Sequence, residues 1–193
     1  MRNYPHQFYF YEIMKKTVLI IIAFVFVFNS CSIRGNFKGL YSYYYKTKKE
    51  SPDLFIESST NICNLKYSKN IYIINGKVLK NCLRNEDKSL VYIWGAKCSS
   101  KICIPLNSLQ EYCDKNNIAL YVVAEYYDSE QMKKEYNMNK PILGIDTEYY
   151  KTNLTKKYLD AFMNDIAGKN YSNKRYIYFE KGQLKDIQEE INL

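Results

Sequence analysis

Residues 89–98 read Ser-Leu-Val-Tyr-Ile-Trp-Gly-Ala-Lys-Cys, an apolar run that ends in small residues and a cysteine. An uninterrupted apolar run of this length predicts a strand that is buried on both faces of a sheet. Cys98 comes four positions after Trp94, the last residue of the predicted strand. Because sites in open α/β sheets lie beyond the carboxyl ends of the strands, this stretch predicts a central strand with a reactive thiol at its end.

The residues after this cysteine predict an amphipathic helix with a serine cap. The residues spaced as one helix face are Ile102, Leu106, Leu109 and Cys113, and the cap would be Ser99 or Ser100. A thiol at a helix N-terminus faces the positive end of the helix dipole, which stabilises the thiolate. We therefore expect Cys98 to be reactive, with Lys97 and Lys101 adding positive charge.

Alternating apolar segments continue this pattern toward the C-terminus. Strands are predicted at 118–125 and 141–145, and helices at 129–136 and 153–167. Three carboxylates that could accept a proton from a resolving thiol lie at the ends of the 118–125 and 141–145 strands, namely Glu125, Asp128 and Asp146.

Two turn sequences complete the predicted topology. Asn75-Gly76 between apolar runs predicts a β-hairpin over 70–82, because a type I′ turn needs positive φ at both positions. Lys181-Gly182 predicts a second hairpin over 175–187. The order of elements predicts an α/β fold: a mixed sheet with a parallel centre, flanking helices and an N-terminal β-hairpin.

The N-terminus has the features of a secretory signal peptide, predicted over 1–30. Lys15-Lys16 precede an apolar run over 17–28, which spans about 18 Å as a helix and is too short for a bilayer core. The alternative is a single-pass anchor that also uses 7–13, which would bury both lysines in hydrocarbon. Residues 1–13 precede Met14, which is an alternative start of the chain.

The end of this segment, Phe28-Asn29-Ser30-Cys31, resembles the lipobox of bacterial lipoproteins, with departures at Phe28 and Asn29. In that family the cysteine is diacylated and becomes the first mature residue. The resemblance implies that Cys31 carries fatty acyl chains such as palmitate, which anchor the protein to a membrane. It also implies that the protein lies in the bacterial envelope and faces the periplasm. We then predict a tether and cap over 31–67, leading into a domain over 68–193.

Composition excludes several kinds of site. The 193 residues are 47% hydrophobic, so the chain can bury a core. The one histidine, His6, lies in the predicted signal peptide, which excludes downstream Ser-His-Asp, Cys-His and His-ligated metal sites. The formal charge of +8 is scattered along the chain, and this argues against a nucleic-acid partner. We expect neither a metal nor another cofactor.

Residues 91–98 resemble the strand, Trp, small residues and nucleophilic Cys of the thioredoxin superfamily, specifically its anchored periplasmic thiol–disulfide oxidoreductases. Leu109, the 118–124 strand and the 176–182 hairpin match in order, so the resemblance covers about 68–190. It implies a thioredoxin-like fold, exchange of dithiols and disulfides with partner proteins through Cys98, and no dissociable cofactor. Trp94 and Lys101 are the expected supporting residues.

The chain departs from that family at two positions. Lys101 stands where the family has its second cysteine, and the next cysteine here is Cys103. Two helical residues five apart are rotated by about 140° and too far apart for a disulfide. Either the segment before Cys103 is therefore a loop, or Cys63 or Cys82 resolves Cys98. Lys174 stands where the family has a cis-proline.

Lipidation of Cys31 would leave five cysteines, an odd number. Cys63 and Cys82 could form a structural disulfide, whereas Cys113 continues an apolar helix face and is expected to be buried. Cys98 and Cys103 could form a redox pair, or they could be inert or structural. The alternative function is accordingly a redox-inert thioredoxin-fold lipoprotein that binds a peptide, a protein or an envelope component.

Overall fold

The computed structural model describes residues 14–18, 39–57, 61–98, 100 and 102–191. By its contacts the chain divides into two units, 1–36 and 37–193. In the first unit, the described residues 14–18 are helical and exposed. Most of the predicted signal peptide, and the predicted lipidation site Cys31, lie outside the described residues. None of the helices in the described ranges has the length and apolar content that a membrane span requires.

The second unit alternates strands and helices along most of its length. Its strands are β1 (Phe55–Ile56), β2 (Ile71–Ile74), β3 (Lys88–Trp94), β4 (Ala119–Ala124), β5 (Leu143–Ile145), β6 (Tyr176–Glu180) and β7 (Gln183–Gln188). Its α-helices are α1 (Tyr44–Glu50), α2 (Gly76–Asn85), α3 (Leu106–Lys115), α4 (Ser129–Met132) and α5 (Thr155–Ala167), and a 3-10 turn spans Pro52–Leu54.

The seven strands form one mixed sheet in the order β1-β2-β5-β4-β3-β6-β7. The first five in this order are parallel, and β6 and β7 add an antiparallel edge. The predicted fold class is confirmed: an α/β protein with a parallel sheet centre and flanking helices, consistent with a thioredoxin-like fold. The predicted C-terminal hairpin is confirmed as β6–β7, with Lys181 and Gly182 at positive φ in its turn.

Strand β3 is buried on both faces of the sheet, as its apolar run predicts. Tyr92 and Trp94 point into one core, which α3 covers through Leu109 and Cys113. The alternate residues, Val91 among them, point into a second core. Parts of α2 and α5 cover that second core, namely Leu79, Leu83, Phe162 and Ile166. These two layers hold β3 rigidly, so the loop after Trp94 starts from a fixed point at the carboxyl edge of the sheet.

The compact second unit begins at Phe37 and so includes much of the segment that composition sets apart as a cap. Helix α1 and the short edge strand β1 come from this segment. The ring of Tyr44 is 3% exposed and meets the rings of Phe55 and Tyr127 at centroid distances of 5.6 and 5.2 Å. The described part of the cap therefore packs on the sheet.

The N-terminal β-hairpin prediction is wrong, because the residues after Asn75 form helix α2. The Asn75 side chain caps this helix by accepting a hydrogen bond from the backbone N–H of Val78 at 3.1 Å. Leu79, Cys82 and Leu83 are the fully buried residues on its inner face. Their helical spacing, and not the Asn-Gly turn signal, decides the local structure.

The absence of a side chain at Gly76 allows α2 and α5 to pack closely. A Cβ at this position would lie 2.6 Å from the Asp165 Cβ and 2.7 Å from the Phe162 carbonyl oxygen. We expect Gly76→Ala to lower the free energy of unfolding by about 2 kcal/mol, although alanine is intrinsically the better helix former. Urea denaturation measures this change. The control Asn81→Ala, at an exposed site on the same helix, should stay within about 0.5 kcal/mol of the wild type. Equal stability of the two variants would contradict the close packing.

Candidate redox site

Two short turns follow β3 and bring Cys98 and Cys103 together. The backbone N–H of Cys98 donates to the Gly95 carbonyl at 2.9 Å, and that of Cys103 donates to the Ser100 carbonyl at 3.0 Å. The structure joins the two cysteines in a disulfide, with their Cα atoms 6.0 Å apart. Of the two alternatives that the spacing leaves open, the structure shows the loop.

Helix α3 begins at Leu106, eight residues after Cys98, so the predicted helix N-terminus at Cys98 is wrong. The predicted serine cap is wrong as well, because Pro105 occupies the N-cap position. The residue before a proline is disfavoured in helical conformation, and this keeps Ile104 and the residues before it out of the helix. Cys98 therefore does not face a helix dipole.

Two tyrosine hydroxyls hold the ends of this loop. Tyr126 accepts a hydrogen bond from the backbone N–H of Lys97 at 2.9 Å. Tyr176 donates to the carbonyl of Ile102 at 2.6 Å, and its ring stacks on that of Tyr92 with centroids 4.9 Å apart. The loop that carries the disulfide is therefore hydrogen-bonded at each end to a tyrosine of the buried core.

The hydroxyl of Ser100 lies beside the disulfide, within reach of both sulfur atoms. Its Oγ is 3.3 Å from the Cys98 Sγ and 3.6 Å from the Cys103 Sγ. A hydroxyl in this place can donate a hydrogen bond to either sulfur, and the bond is strongest when that sulfur is a thiolate.

A cleft of about 330 Å³ opens beside the disulfide, and both cysteines line it. Trp94, which is 7% exposed, forms part of its wall and meets the Tyr136 ring edge-on at 5.7 Å. The apolar lining comprises Tyr92, Trp94, Ala96, Ile104, Pro105, Leu106 and Tyr136, and the polar lining comprises Asn107, Gln131, Lys134 and Glu135. An incoming side chain that fills this cleft would lie next to the sulfur atoms.

A largely buried ion pair lies near the turn that carries Cys98. Arg175 Nη2 is 2.8 Å from Glu125 Oε2, and Arg175 Nη1 donates to the Ile93 carbonyl at 2.8 Å. The two side chains are 14% and 16% exposed. Burial opposes the charge on the guanidinium, but the Glu125 carboxylate more than offsets this, and the pKa of Arg175 is raised.

Gly95 lies close to both the ion pair and Cys98. A Cβ on Gly95 would lie 3.0 Å from Glu125 Oε2, 3.2 Å from Arg175 Nη1 and 3.3 Å from the Cys98 Cβ. The three groups therefore surround one point, and a side chain at this position would make them move apart by a few tenths of an ångström.

Lys97 is expected from the sequence to add positive charge at Cys98, but two carboxylates contact its ammonium group instead. Its Nζ lies 3.0 Å from Asp128 Oδ2 and 3.0 Å from Glu130 Oε2. Hydrogen bonds to these two carboxylates raise the pKa of Lys97. The ammonium group therefore ties the loop to the start of α4, and two carboxylates neutralise its charge. Lys101, the other expected supporting residue, lies outside the described residues.

The remaining described cysteines do not join this site. The structure pairs Cys63 with Cys82 in a second disulfide, with Cα atoms 4.9 Å apart, so neither is available to resolve Cys98. Cys113 is free and fully buried, and burial raises the pKa of its thiol to about 12. A thiol with that pKa is protonated at neutral pH and does not act as a nucleophile.

Among the described residues there is no cis peptide bond, and Lys174 lies just before β6. No group of three or more potential metal-ligating side chains occurs in the same ranges. Sequence reasoning missed Arg175, whose only signal is that it is the first residue of the hairpin predicted over 175–187.

No family model matches this chain, and neither a curated protein nor a solved structure matches it.

Proposed function

We propose that this protein is a lipid-anchored envelope thiol–disulfide oxidoreductase, which exchanges dithiols and disulfides with partner proteins through Cys98. One observation carries the proposal: the Cys98–Cys103 disulfide lies just beyond the carboxyl end of β3, an interior strand of the sheet, and borders an open cleft. A purely structural disulfide has no need of such a cleft. The second disulfide, Cys63–Cys82, supplies the contrast, because Cys82 is fully buried in the core.

The exchange proceeds in two thiolate attacks. A thiolate of a partner dithiol attacks the Cys98 sulfur, the Cys98–Cys103 bond breaks, and Cys103 leaves as a thiolate that takes up a proton. The partner's second thiolate then attacks the partner's first sulfur in the mixed disulfide, and this displaces Cys98 as a thiolate. The partner loses two electrons and two protons and becomes a disulfide, and Cys98 and Cys103 gain them. The reverse sequence reduces a partner disulfide.

The envelope location rests on the N-terminal sequence and on the use of cysteine. Disulfides persist in oxidising compartments such as the periplasm and are rare in the cytosol. Two disulfides among the described residues suit such a compartment. Two or more acyl chains on Cys31 would hold the protein stably at a membrane, within reach of partner proteins there.

We expect Cys98 and Cys103 to titrate together as a two-electron couple in glutathione redox buffers, with a potential between about −120 and −270 mV. The measurement is peptide-resolved alkylation of the full-length chain followed by mass spectrometry. The Cys63–Cys82 bond serves as an internal control and should stay oxidised across the same buffers. The protein should also accelerate the reduction of insulin by dithiothreitol.

Two results would contradict this proposal. One is a Cys98–Cys103 bond that resists reduction below about −300 mV, as structural disulfides do. The other is a pair that titrates normally while the protein leaves the insulin reaction at its background rate. Either result would favour the redox-inert binding function, with the cleft as the place of binding.

A further inference from the structure

Two of the sources of positive charge expected at Cys98 from the sequence, the helix N-terminus and Lys97, do not serve that sulfur among the described residues. The N-terminus of α3 lies eight residues further along the chain, at Leu106. The ammonium group of Lys97 contacts two carboxylates at 3.0 Å. A thiolate at Cys98 nevertheless needs a compensating charge or hydrogen-bond donor if it is to be stabilised at neutral pH.

The Arg175–Glu125 ion pair lies near Cys98, on the space around Gly95 that all three side chains border. Its charged atoms approach the same point as the Cys98 Cβ, to within 3.0–3.3 Å of a Cβ placed on Gly95. Both side chains are more than four-fifths buried, so water screens their charges only weakly. Three elements fix the pair, because Glu125 directly follows β4, Arg175 directly precedes β6, and the Ile93 carbonyl on β3 accepts from Arg175.

We infer that Arg175 and Glu125 are positioning residues, which together set how strongly the Cys98 thiolate is stabilised and hence the reduction potential of the Cys98–Cys103 pair. The inference rests on the proposed exchange function, which it deepens. The guanidinium favours the thiolate and the carboxylate opposes it, so their balance determines the stability of the reduced state. Glu125 has a second effect, since it holds Arg175 in place.

The effect on the potential follows from the reduction itself. Two glutathione thiols reduce the disulfide and become glutathione disulfide, and Cys98 and Cys103 receive two electrons and two protons. When Cys98 is ionised, one of these protons goes to solvent and a negative charge remains beside the ion pair. Whatever stabilises that charge stabilises the reduced protein and makes the pair more oxidising.

The test uses single removals of each charge, which should act in opposite directions. Glu125→Gln leaves the guanidinium uncompensated and should lower the pKa of the Cys98 thiol by about one unit. Arg175→Gln leaves the carboxylate uncompensated and should raise it by about one unit. The rate of iodoacetamide alkylation at the Cys98 peptide, followed against pH in the reduced full-length protein, gives this pKa directly.

The redox equilibrium of the Cys98–Cys103 pair with glutathione should shift with the pKa of the Cys98 thiol. The ratio of reduced to oxidised pair should rise up to about tenfold in Glu125→Gln and fall by a similar factor in Arg175→Gln, about 30 mV in each direction. Arg175→Lys should restore part of the wild-type value, because it keeps the charge. The double variant Arg175→Gln/Glu125→Gln should lie between the two single variants, because it leaves neither charge unbalanced.

The controls are Glu180→Gln and Lys185→Gln, which break an exposed ion pair (3.1 Å) on the β6–β7 hairpin and should leave both measurements unchanged. Shifts of the same sign in both single variants would assign the pair a structural role only, and absence of any shift would remove it from the redox site. Either outcome overturns this inference while the exchange function stands. Failure of the pair to be reduced in the wild type would overturn the exchange function itself.

Discussion

A Cys103→Ser chain is expected to accumulate as a mixed disulfide with its partner proteins, and a Cys98→Ser chain is expected to lose exchange to the background rate. The reason is the order of the two thiolate attacks: Cys98 forms the intermolecular bond and Cys103 resolves it. Without Cys103 the first attack by Cys98 on a partner disulfide still occurs, but no thiol on the same loop remains to release the partner. Non-reducing electrophoresis after acid quenching shows the trapped species.

The matched control for these two variants is Cys113→Ala. This thiol is fully buried in α3, and its pKa of about 12 keeps it protonated, so its removal should leave the exchange rate unchanged. Trapping by Cys98→Ser together with loss of activity in Cys103→Ser would reverse the assigned roles. Full activity of both serine variants would exclude this disulfide from the function altogether.

Removing the Cys63–Cys82 disulfide is expected to lower the free energy of unfolding by about 3 kcal/mol, the value expected for a loop of about 20 residues. The bond joins the segment before β2 to the buried face of α2, where Cys82 is fully buried. The double variant Cys63→Ala/Cys82→Ala isolates the effect. Urea denaturation gives the change in free energy, and a shift of several degrees in Tm accompanies it.

The same bond can be tested without changing its residues. In a chain with serine at 98 and 103, a reductant acts only on Cys63–Cys82 among the disulfides of the described residues. Added dithiothreitol should lower the Tm of that chain to the value of the chain that also carries alanine at 63 and 82. Equal Tm values with and without the reductant would show that this disulfide does not stabilise the fold.

The sequence predicts the sheet centre well, because its signals are local. The 90–94 run has no charged or strongly polar position to face solvent, which is typical of a strand buried on both sides. The predicted helix over 153–167 is equally clear, since Tyr158, Phe162 and Ile166 recur at helical spacing, and α5 buries all three. In both cases, hydrophobic burial and local periodicity lead to the same structure.

The errors occur where a distant contact decides the structure. Asn75-Gly76 is compatible with a hairpin turn and with a helix cap, and the choice depends on the packing of Gly76 against Phe162 and Asp165. The partner of Cys98 depends on where α3 begins, which a serine cap and Pro105 predict differently. The Arg175–Glu125 pair exists only because the ends of β4 and β6 lie on either side of β3. No local sequence pattern predicts that these two strand ends are neighbours.

The two tyrosine hydroxyls that hold Lys97 and Ile102 limit how far a change of oxidation state can spread. Both hydrogen bonds end on backbone atoms at the ends of the loop, and both tyrosines are anchored in the buried core. Opening the disulfide therefore frees the short stretch between them and leaves the sheet unchanged. A partner that distinguishes the oxidised from the reduced protein would therefore have to contact that stretch and the cleft beside it. The surface that such a partner recognises would then overlap with the site of the proposed exchange.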